Sequence, residues 1–219
     1  MIAASAFLRR TGLALGVVWG LGLTGCASVF PPAQTAELRA SVREATLGEL
    51  APRAELTETP FFPQTPFHCG PAALATVLTH AGFTQITPQR LGEALFLPSR
   101  EGTLQTEMLS GARREGAVAV RLPPRLIDVL REVQAGTPVV VLQNLGLAIA
   151  PRWHYAVVVG YDLPREEIVL RSGTTQREVM RLASFEYTWA RGGHWAMVAL
   201  PPGRLPLTAR EADAVQAAV

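Results

Sequence analysis

Apolar residues recur at helical spacing in the first half of the chain. Leu74, Val77 and Leu78 fall on one face, and Gly82 follows them as a stop signal. The pattern therefore predicts a helix that begins at or just after Cys69. Two further helices are predicted over residues 89–96 and 104–115, each preceded by a threonine that can act as an N-cap.

The spacing changes to that of strands after residue 117. A strand is predicted at 117–121, a helix at 125–135, and a nearly all-apolar strand suited to the centre of a sheet at 138–143. Later strands are predicted at 156–161, 167–171, 177–182 and 195–200. Helices first and antiparallel strands later are typical of an α+β fold, which is the fold class that we predict.

The periodic elements fill residues 57–203, which we assign to one domain. Residues 26–56 carry only a weak helical pattern over 36–50, so we interpret them as a tether. Residues 204–219 are rich in alanine and predict a helical tail.

The first 25 residues have the pattern of a targeting segment. Arg9 and Arg10 precede an apolar run over 13–23, and Leu23-Thr24-Gly25-Cys26 follows. This resembles a bacterial lipoprotein signal peptide, and the resemblance implies cleavage before Cys26 and attachment of lipid to that residue. An ordinary signal peptide or a membrane helix is the alternative.

Lipidation of Cys26 would anchor the protein in the bacterial cell envelope, facing the periplasm. In bacterial lipoproteins, an aspartate just after the lipidated cysteine tends to retain the protein at the inner membrane. Here Ala27 and Ser28 follow Cys26, so we expect the protein to be located at the outer membrane. The membrane is thus one expected partner.

Charge and cysteine usage narrow the function. All 20 basic residues are arginine, and without the leader, which holds two arginines and no acid, the charges balance against 18 acidic residues. A neutral chain argues against nucleic acid as a partner. Of the two cysteines, Cys69 would be the single thiol left in an oxidising compartment, and its simplest alternative role is that of a buried apolar residue.

The surroundings of Cys69 favour a catalytic role. Cys69 stands at a predicted helix start, where free amides and the helix dipole stabilise a thiolate, and Pro71 suits the first turn. Gln64 lies five residues earlier on an extended segment. Its side-chain amide and the Cys69 backbone amide could therefore form an oxyanion hole for acyl transfer.

A second segment, from His154 to Tyr161, begins with a histidine and continues as an apolar strand. Together with Gln64 and Cys69-Gly70-Pro71-Ala72-Ala73, it resembles the papain-like peptidase domains that remove double-glycine leaders from bacteriocins. The resemblance covers residues 61–201. It implies a papain-like fold with Cys69 as nucleophile, His154 as general base and then acid, and Gln64 as oxyanion donor.

The chain departs from that family at the residue that orients the histidine. The family places an aspartate at the end of the next strand, a position that the predicted hairpin puts near residues 172–174, where no carboxylate occurs. Asp162 lies about eight residues from His154 on one strand, at ~3.3 Å per residue, and is too distant to replace it. Ser172 is the orienting acceptor that we propose first, with Thr174, Gln176 or a backbone carbonyl as alternatives. A neutral acceptor predicts slow or lost chemistry.

Other histidines and a metal site are weaker candidates. His194 precedes Trp195 at another strand start and competes with His154 for the role of base, while His68 could tune the thiol. A zinc site would need paired ligand spacing, which these residues lack, and neither a metal nor a cofactor is expected.

The sequence therefore predicts an envelope-anchored cysteine peptidase that cleaves a peptide or protein substrate through a thioester. Two alternatives remain at this point. One is a peptide-binding module with an idle site, and the other is a transferase that passes the acyl group to an amine. The bacteriocin role is not carried over, because those domains are fused to exporters.

Overall fold

The computed structural model describes residues 32–46, 48, 50–64, 68–95 and 102–209. The predicted signal peptide, Cys26 and the final part of the predicted tail, 210–219, lie outside these residues. Within the described part of the chain, every helix is too short or too polar to cross a membrane.

The described residues form six helices and seven strands, with three consecutive helices in the first half and four consecutive strands in the second. The helices are α1 (Ala33–Arg43), α2 (Cys69–His80), α3 (Pro88–Leu95), α4 (Gln105–Arg114), α5 (Leu126–Gln134) and α6 (Leu182–Arg191). The strands are β1 (Arg53–Glu55), β2 (Val118–Arg121), β3 (Val139–Asn144), β4 (Trp153–Asp162), β5 (Glu167–Ser172), β6 (Thr175–Arg181) and β7 (Ala196–Leu200).

The strands form one antiparallel sheet in the order β2-β7-β3-β4-β5-β6. β1 pairs with the last residues of β4, where Arg53 lies opposite Asp162. Every residue of β3 is buried, as predicted for a strand at the centre of a sheet. Helices together with an antiparallel sheet confirm the predicted α+β class.

Both faces of the sheet are covered, which explains why its central strands are almost entirely apolar. Ala156 and Val158 of β4 pack in one core together with residues of α5 and α6. Val157 and Val159 point to the other face and pack in a second core with residues of α2, α3 and α4. The helical half of the sequence thus covers one face, and α5 and α6 cover the other.

The described residues between 32 and 56 contradict the interpretation of residues 26–56 as a tether, because they are part of the fold. β1 adds to the sheet, and α1 docks on α5 and α6 mainly through polar contacts. Arg39 of α1 forms a two-pronged ion pair with Glu166, at 2.5 and 2.6 Å. A weak apolar face therefore does not indicate a free segment here, because docking relies on polar groups and one buried leucine, Leu38.

The start of α1 is held by a buried glutamate from α6. Glu186 is 2% exposed, and its carboxylate accepts hydrogen bonds from the backbone amides of Gln34 and Thr35 and from the Thr35 hydroxyl, at 2.9, 2.6 and 2.5 Å. Amides in the first turn of a helix have no partner within the helix. Glu186 thus caps α1 from a distant part of the chain.

Two more differences concern α6 and the end of the chain. The helix at 182–191 was not predicted from the sequence, although Leu182, Phe185 and Trp189 are buried at helical spacing. At the other end, Thr208 donates two hydrogen bonds to the buried Glu132 before the described residues stop. The helical tail predicted over 204–219 lies mostly outside the described residues.

Replacement of Glu186 with alanine should destabilise the fold. The Glu186→Ala change leaves three donors at the start of α1, two of them buried, without a partner, so we expect the free energy of unfolding to fall by about 2 kcal/mol in urea titration. The matched control is Glu93→Ala on the exposed face of α3, which should change stability by less than ~0.5 kcal/mol. Equal effects of the two changes would show that α1 is not held by this carboxylate.

Candidate active site

A cleft of about 1140 Å³ runs between the start of α2 and the start of β4. It contains three of the predicted catalytic residues, Gln64, Cys69 and His154. Apart from the titratable His154, the charged side chains among its described lining residues are Arg152 and Arg191. The cleft is thus large enough for a peptide segment and carries positive charge at its wall.

Cys69 is the first residue of α2, as the sequence predicts. The next residue must be small, because a Cβ on Gly70 would lie 2.8 Å from the Cβ of Thr103. This close approach brings residues 102–105 to the cleft wall beside the thiol.

The electrostatic surroundings of Cys69 differ from the expected thiolate site. Burial raises the pKa of the thiol, and hydrogen bonds from the backbone amides of Tyr155, Gly70 and Cys69 itself oppose this rise without cancelling it. The amides therefore act in the direction predicted for a helix start. Burial outweighs them, so the thiol is protonated at neutral pH.

His154 is the second residue of β4, opposite Gln143 of β3. Its Nε2 lies 3.0 Å from the hydroxyl oxygen of Ser172, the last residue of β5. The pKa of His154 is lowered because the ring is buried; Glu178 acts in the opposite direction, and Arg152 adds to the lowering. The imidazole is thus neutral at neutral pH and makes its contact at the position where the family has an aspartate.

The backbone of β4 brings Cys69 and His154 into the same region. The amide that hydrogen-bonds the Cys69 sulfur belongs to Tyr155, the neighbour of His154. With Nε2 directed at Ser172, Nδ1 is the ring nitrogen left to exchange a proton with the thiol.

Gln64 is fixed on the wall of the cleft by three hydrogen bonds. Its backbone amide donates to the carbonyl of Gly173 at 2.9 Å, and its Oε1 accepts from the amide of Gly173 at 3.1 Å. Its Nε2 donates to the carbonyl of Tyr155 at 3.2 Å, which leaves the second Nε2 hydrogen for another acceptor. Gln64 therefore ties the turn after Ser172 to the strand that carries His154.

The other histidines lie away from this arrangement. His194 is absent from the cleft lining, has a φ of +50° and packs edge-on against Trp189 with ring centroids 4.7 Å apart. His68 contacts the region of Gly92 in α3, and His80 makes hydrogen bonds with Thr59 and the carbonyl of Gly136. Among the described residues, no group of three potential ligands could hold a metal ion.

A buried arginine that the sequence pattern did not predict as a site residue organises the approach to the site. Arg171 is 4% exposed, and its guanidinium donates to the carbonyls of Thr57, Thr59 and Gln176. These bonds fix the segment that leads to Gln64 against the hairpin that presents Ser172. The available signal was a cation that directly follows three apolar residues, 168–170, in a predicted strand.

Solved structures with the same fold are peptidase domains. A putative C39-like peptidase from Bacillus anthracis matches with a TM-score of 0.58 and 18% identity, covering 69% of this chain and 99% of that one. The peptidase domain of Streptococcus ComA, a bifunctional ABC transporter involved in quorum sensing, matches with a TM-score of 0.53 and 21% identity, covering 66% and 99%. A search of curated proteins gives no significant match.

A family model matches across the whole region that contains the cleft. The model is that of the Peptidase_C39 like family, and it covers residues 56–197. This range includes Gln64, Cys69, His154 and Ser172, and it covers well over half of the chain. The resemblance predicted from the sequence is confirmed, and the chain belongs to the Peptidase_C39 like family.

Proposed function

We propose that this protein is a cysteine peptidase anchored in the bacterial cell envelope, in which Cys69 is the nucleophile and His154 is the general base and acid. The observation that carries the proposal is the shared position of the two residues: Cys69 and His154 line the same cleft, His154 is held by Ser172, and the adjacent amide of Tyr155 acts to lower the pKa of the Cys69 thiol. A core cysteine would need neither contact.

The reaction begins with a neutral thiol and a neutral imidazole. As the sulfur attacks the carbonyl carbon of the scissile bond, Nδ1 of His154 takes the thiol proton. The tetrahedral intermediate then collapses, the proton passes to the leaving amine, and the acyl group stays on Cys69 as a thioester. Water attacks the thioester with His154 as base, releasing the acid and restoring the thiol.

The oxyanion of the tetrahedral intermediate needs donors that are already in place. The backbone amide of Cys69 and the second Nε2 hydrogen of Gln64 are suitable, because Gln64 is fixed by Gly173 and Tyr155 before substrate binds. Removal of one such donor typically lowers kcat by about 10²–10³.

Anchoring in the envelope is supported by the pattern around Cys26. The apolar run and the Leu-Thr-Gly-Cys sequence are those of lipoprotein signals. The first described helix starts at Ala33, so the lipid would be joined to the fold by a short link. We place the protein in the periplasm, at the outer membrane.

One observation favours a second function, that of a peptide-binding module with little turnover. A serine replaces the family's carboxylate beside His154, so the imidazolium that forms during attack is stabilised less than it would be by a charge. An acyl transferase would use the same thioester and differ only in the acceptor.

Peptide turnover separates these functions. We expect the mature protein to create new termini in a proteome-derived peptide library, read by mass spectrometry, and expect Cys69→Ala and His154→Ala to create none. The control is His194→Ala, which should retain turnover because His194 lies off the cleft. An inactive wild type that still retains peptides would support the binding module, and amide products formed only with an added amine would support the transferase.

Alkylation of Cys69 by iodoacetamide should follow the raised pKa of the thiol. A raised pKa means that the reactive thiolate appears only as the pH rises above the ordinary cysteine range, so the rate should be low at pH 6 and climb through alkaline pH. Stopped-flow or mass-spectrometric rates across pH provide the measurement. Fast alkylation that is independent of pH below 7 would reveal an ion pair and refute the neutral starting state.

The change Ser172→Asp should restore charge beside His154. A carboxylate at this position raises the pKa of His154, which favours the thiolate–imidazolium pair, and we expect kcat to increase several-fold with alkylation shifted to lower pH. Ser172→Ala should lower kcat about tenfold by releasing the ring. Gln89→Asp on the exposed surface of α3, outside the described cleft lining, is the matched control, and an equal effect there would mean that the position of the charge is unimportant.

A further inference from the structure

The loop between β3 and β4 is an ordered apolar projection, which we call the apolar hairpin (residues 145–151). Its ends are joined by Asn144, whose Oδ1 accepts hydrogen bonds from the amides of Gly146 and Arg152, both at 2.9 Å. The backbone amide of Leu145 donates to the carbonyl of Arg152 at 2.9 Å. The guanidinium of Arg191 in α6 donates two hydrogen bonds to the carbonyl of Asn144. The hairpin is therefore held in one conformation by contacts at its root.

The apolar side chains at the tip of the apolar hairpin are unusually exposed to solvent. Ile149 is 91% exposed and Leu147 is 67% exposed. Residues 147–153 are all exposed and include no carboxylate. Single exposed apolar residues are ordinary, but several on one ordered projection mark an interaction surface.

A peptide in the cleft would not cover this tip. Pro151, Arg152 and Trp153 line the cleft, whereas none of residues 145–150 does. The root of the hairpin thus belongs to the active-site wall, and Leu147 and Ile149 require another partner.

The residues around the root match the chemistry of a membrane interface. Arg152, Arg191 and Trp153, which is 56% exposed, lie at the root of the apolar hairpin. Tryptophan prefers the level of the headgroups, and arginine near the surface is attracted to anionic lipids. Apolar side chains in front of a belt of tryptophan and arginine are the arrangement of a shallow interfacial insertion.

The position of the hairpin relative to α1 also favours a membrane. Glu186 of α6 holds the start of α1, and Arg191 at the end of α6 holds the root of the hairpin. Glu186 and Arg191 are five positions apart on the helix, a rise of about 7.5 Å. Only six residues lead from Cys26 to Pro32, a reach of at most ~21 Å, so a lipid on Cys26 would keep this part of the fold close to the bilayer.

We propose that the apolar hairpin inserts Leu147 and Ile149 into the bilayer that carries the lipid anchor, with Arg152 and Arg191 at the headgroups. The inference rests on the proposed lipidation of Cys26, which would bring the protein to the membrane. Insertion of the hairpin into that membrane is a separate property of the fold. Because the hairpin root forms part of the cleft wall, insertion places the mouth of the active site at the membrane surface. The substrates would then be peptide segments presented at that surface.

Fluorescence of a probe on the hairpin tests the contact. The full lipidated chain carrying Cys69→Ala and Ile149→Cys is labelled with an NBD dye and reconstituted in vesicles of phosphatidylethanolamine and phosphatidylglycerol. The matched control is Val179→Cys in the same background. Val179 is also exposed and apolar, but it lies level with Gly160, at the opposite end of β4 from Trp153.

We expect the label at 149 to shift its emission to the blue and to lose most of its intensity when the lipids carry brominated acyl chains. The label at 179 should do neither. No quenching at 149, or equal quenching at both positions, overturns the inference. A blue shift at 149 that grows with protein density but is not quenched by brominated lipid would also overturn it, because the hairpin would then contact a second copy.

The mass of the N-terminal peptide distinguishes failure of the anchor from failure of the hairpin. If Cys26 is lipidated and the label at 149 is not quenched, the proposed insertion is refuted and the proposed anchor stands. If Cys26 carries no lipid and the label at 149 is quenched, the proposed anchor is refuted and the proposed insertion stands.

Discussion

The approach of the Cys69 thiol to the start of β4, where the amide of Tyr155 acts to lower the pKa of the thiol, is the constraint on which the candidate site depends. It joins the first residue of α2 to the third residue of β4, two points far apart in the chain. β4 is held along its length by β3, β5 and β1, and its side chains enter both cores. The position of the sulfur relative to His154 is therefore fixed by the packing of the whole sheet. It does not depend on the conformation of a loop beside the site.

Neutral groups perform the positioning in this site. Ser172 contacts the imidazole of His154, and Gln64 links the adjacent turn at Gly173 to the carbonyl of Tyr155. The same burial that fixes these groups raises the pKa of the thiol and lowers that of the imidazole, so the resting pair carries no charge. In the proposed mechanism, turnover would depend on forming charge during attack, where a serine helps less than a carboxylate.

The sequence was sufficient for the parts of the structure that depend on local patterns. The helix at Cys69, the buried strand at 138–143 and the hairpin that carries Ser172 towards His154 follow from periodicity and counting of residues. The family resemblance was likewise visible in a few residues around Gln64, Cys69 and His154.

The remaining features depend on contacts between distant residues. The docking of α1 depends on Glu186 and Glu166, which lie more than a hundred residues away, and its own apolar face gives little signal. The pKa of Cys69 reflects a balance between amides that the helix start predicts and burial that only the assembled cores determine. The exposure of Leu147 and Ile149 could also not be predicted from the sequence, because an apolar run in a sequence indicates a buried segment more often than an exposed one.

The most direct test of the central claim is a cross-link between Cys69 and one histidine. Reaction with 1,3-dibromoacetone at alkaline pH alkylates the thiolate first, and the second bromide can then be displaced only by a nucleophile within a short bridge. We predict that mass spectrometry will find the peptide of Cys69 joined to that of His154. A thiol that is alkylated without a cross-link, or that is joined to His68 or His194, would contradict the account.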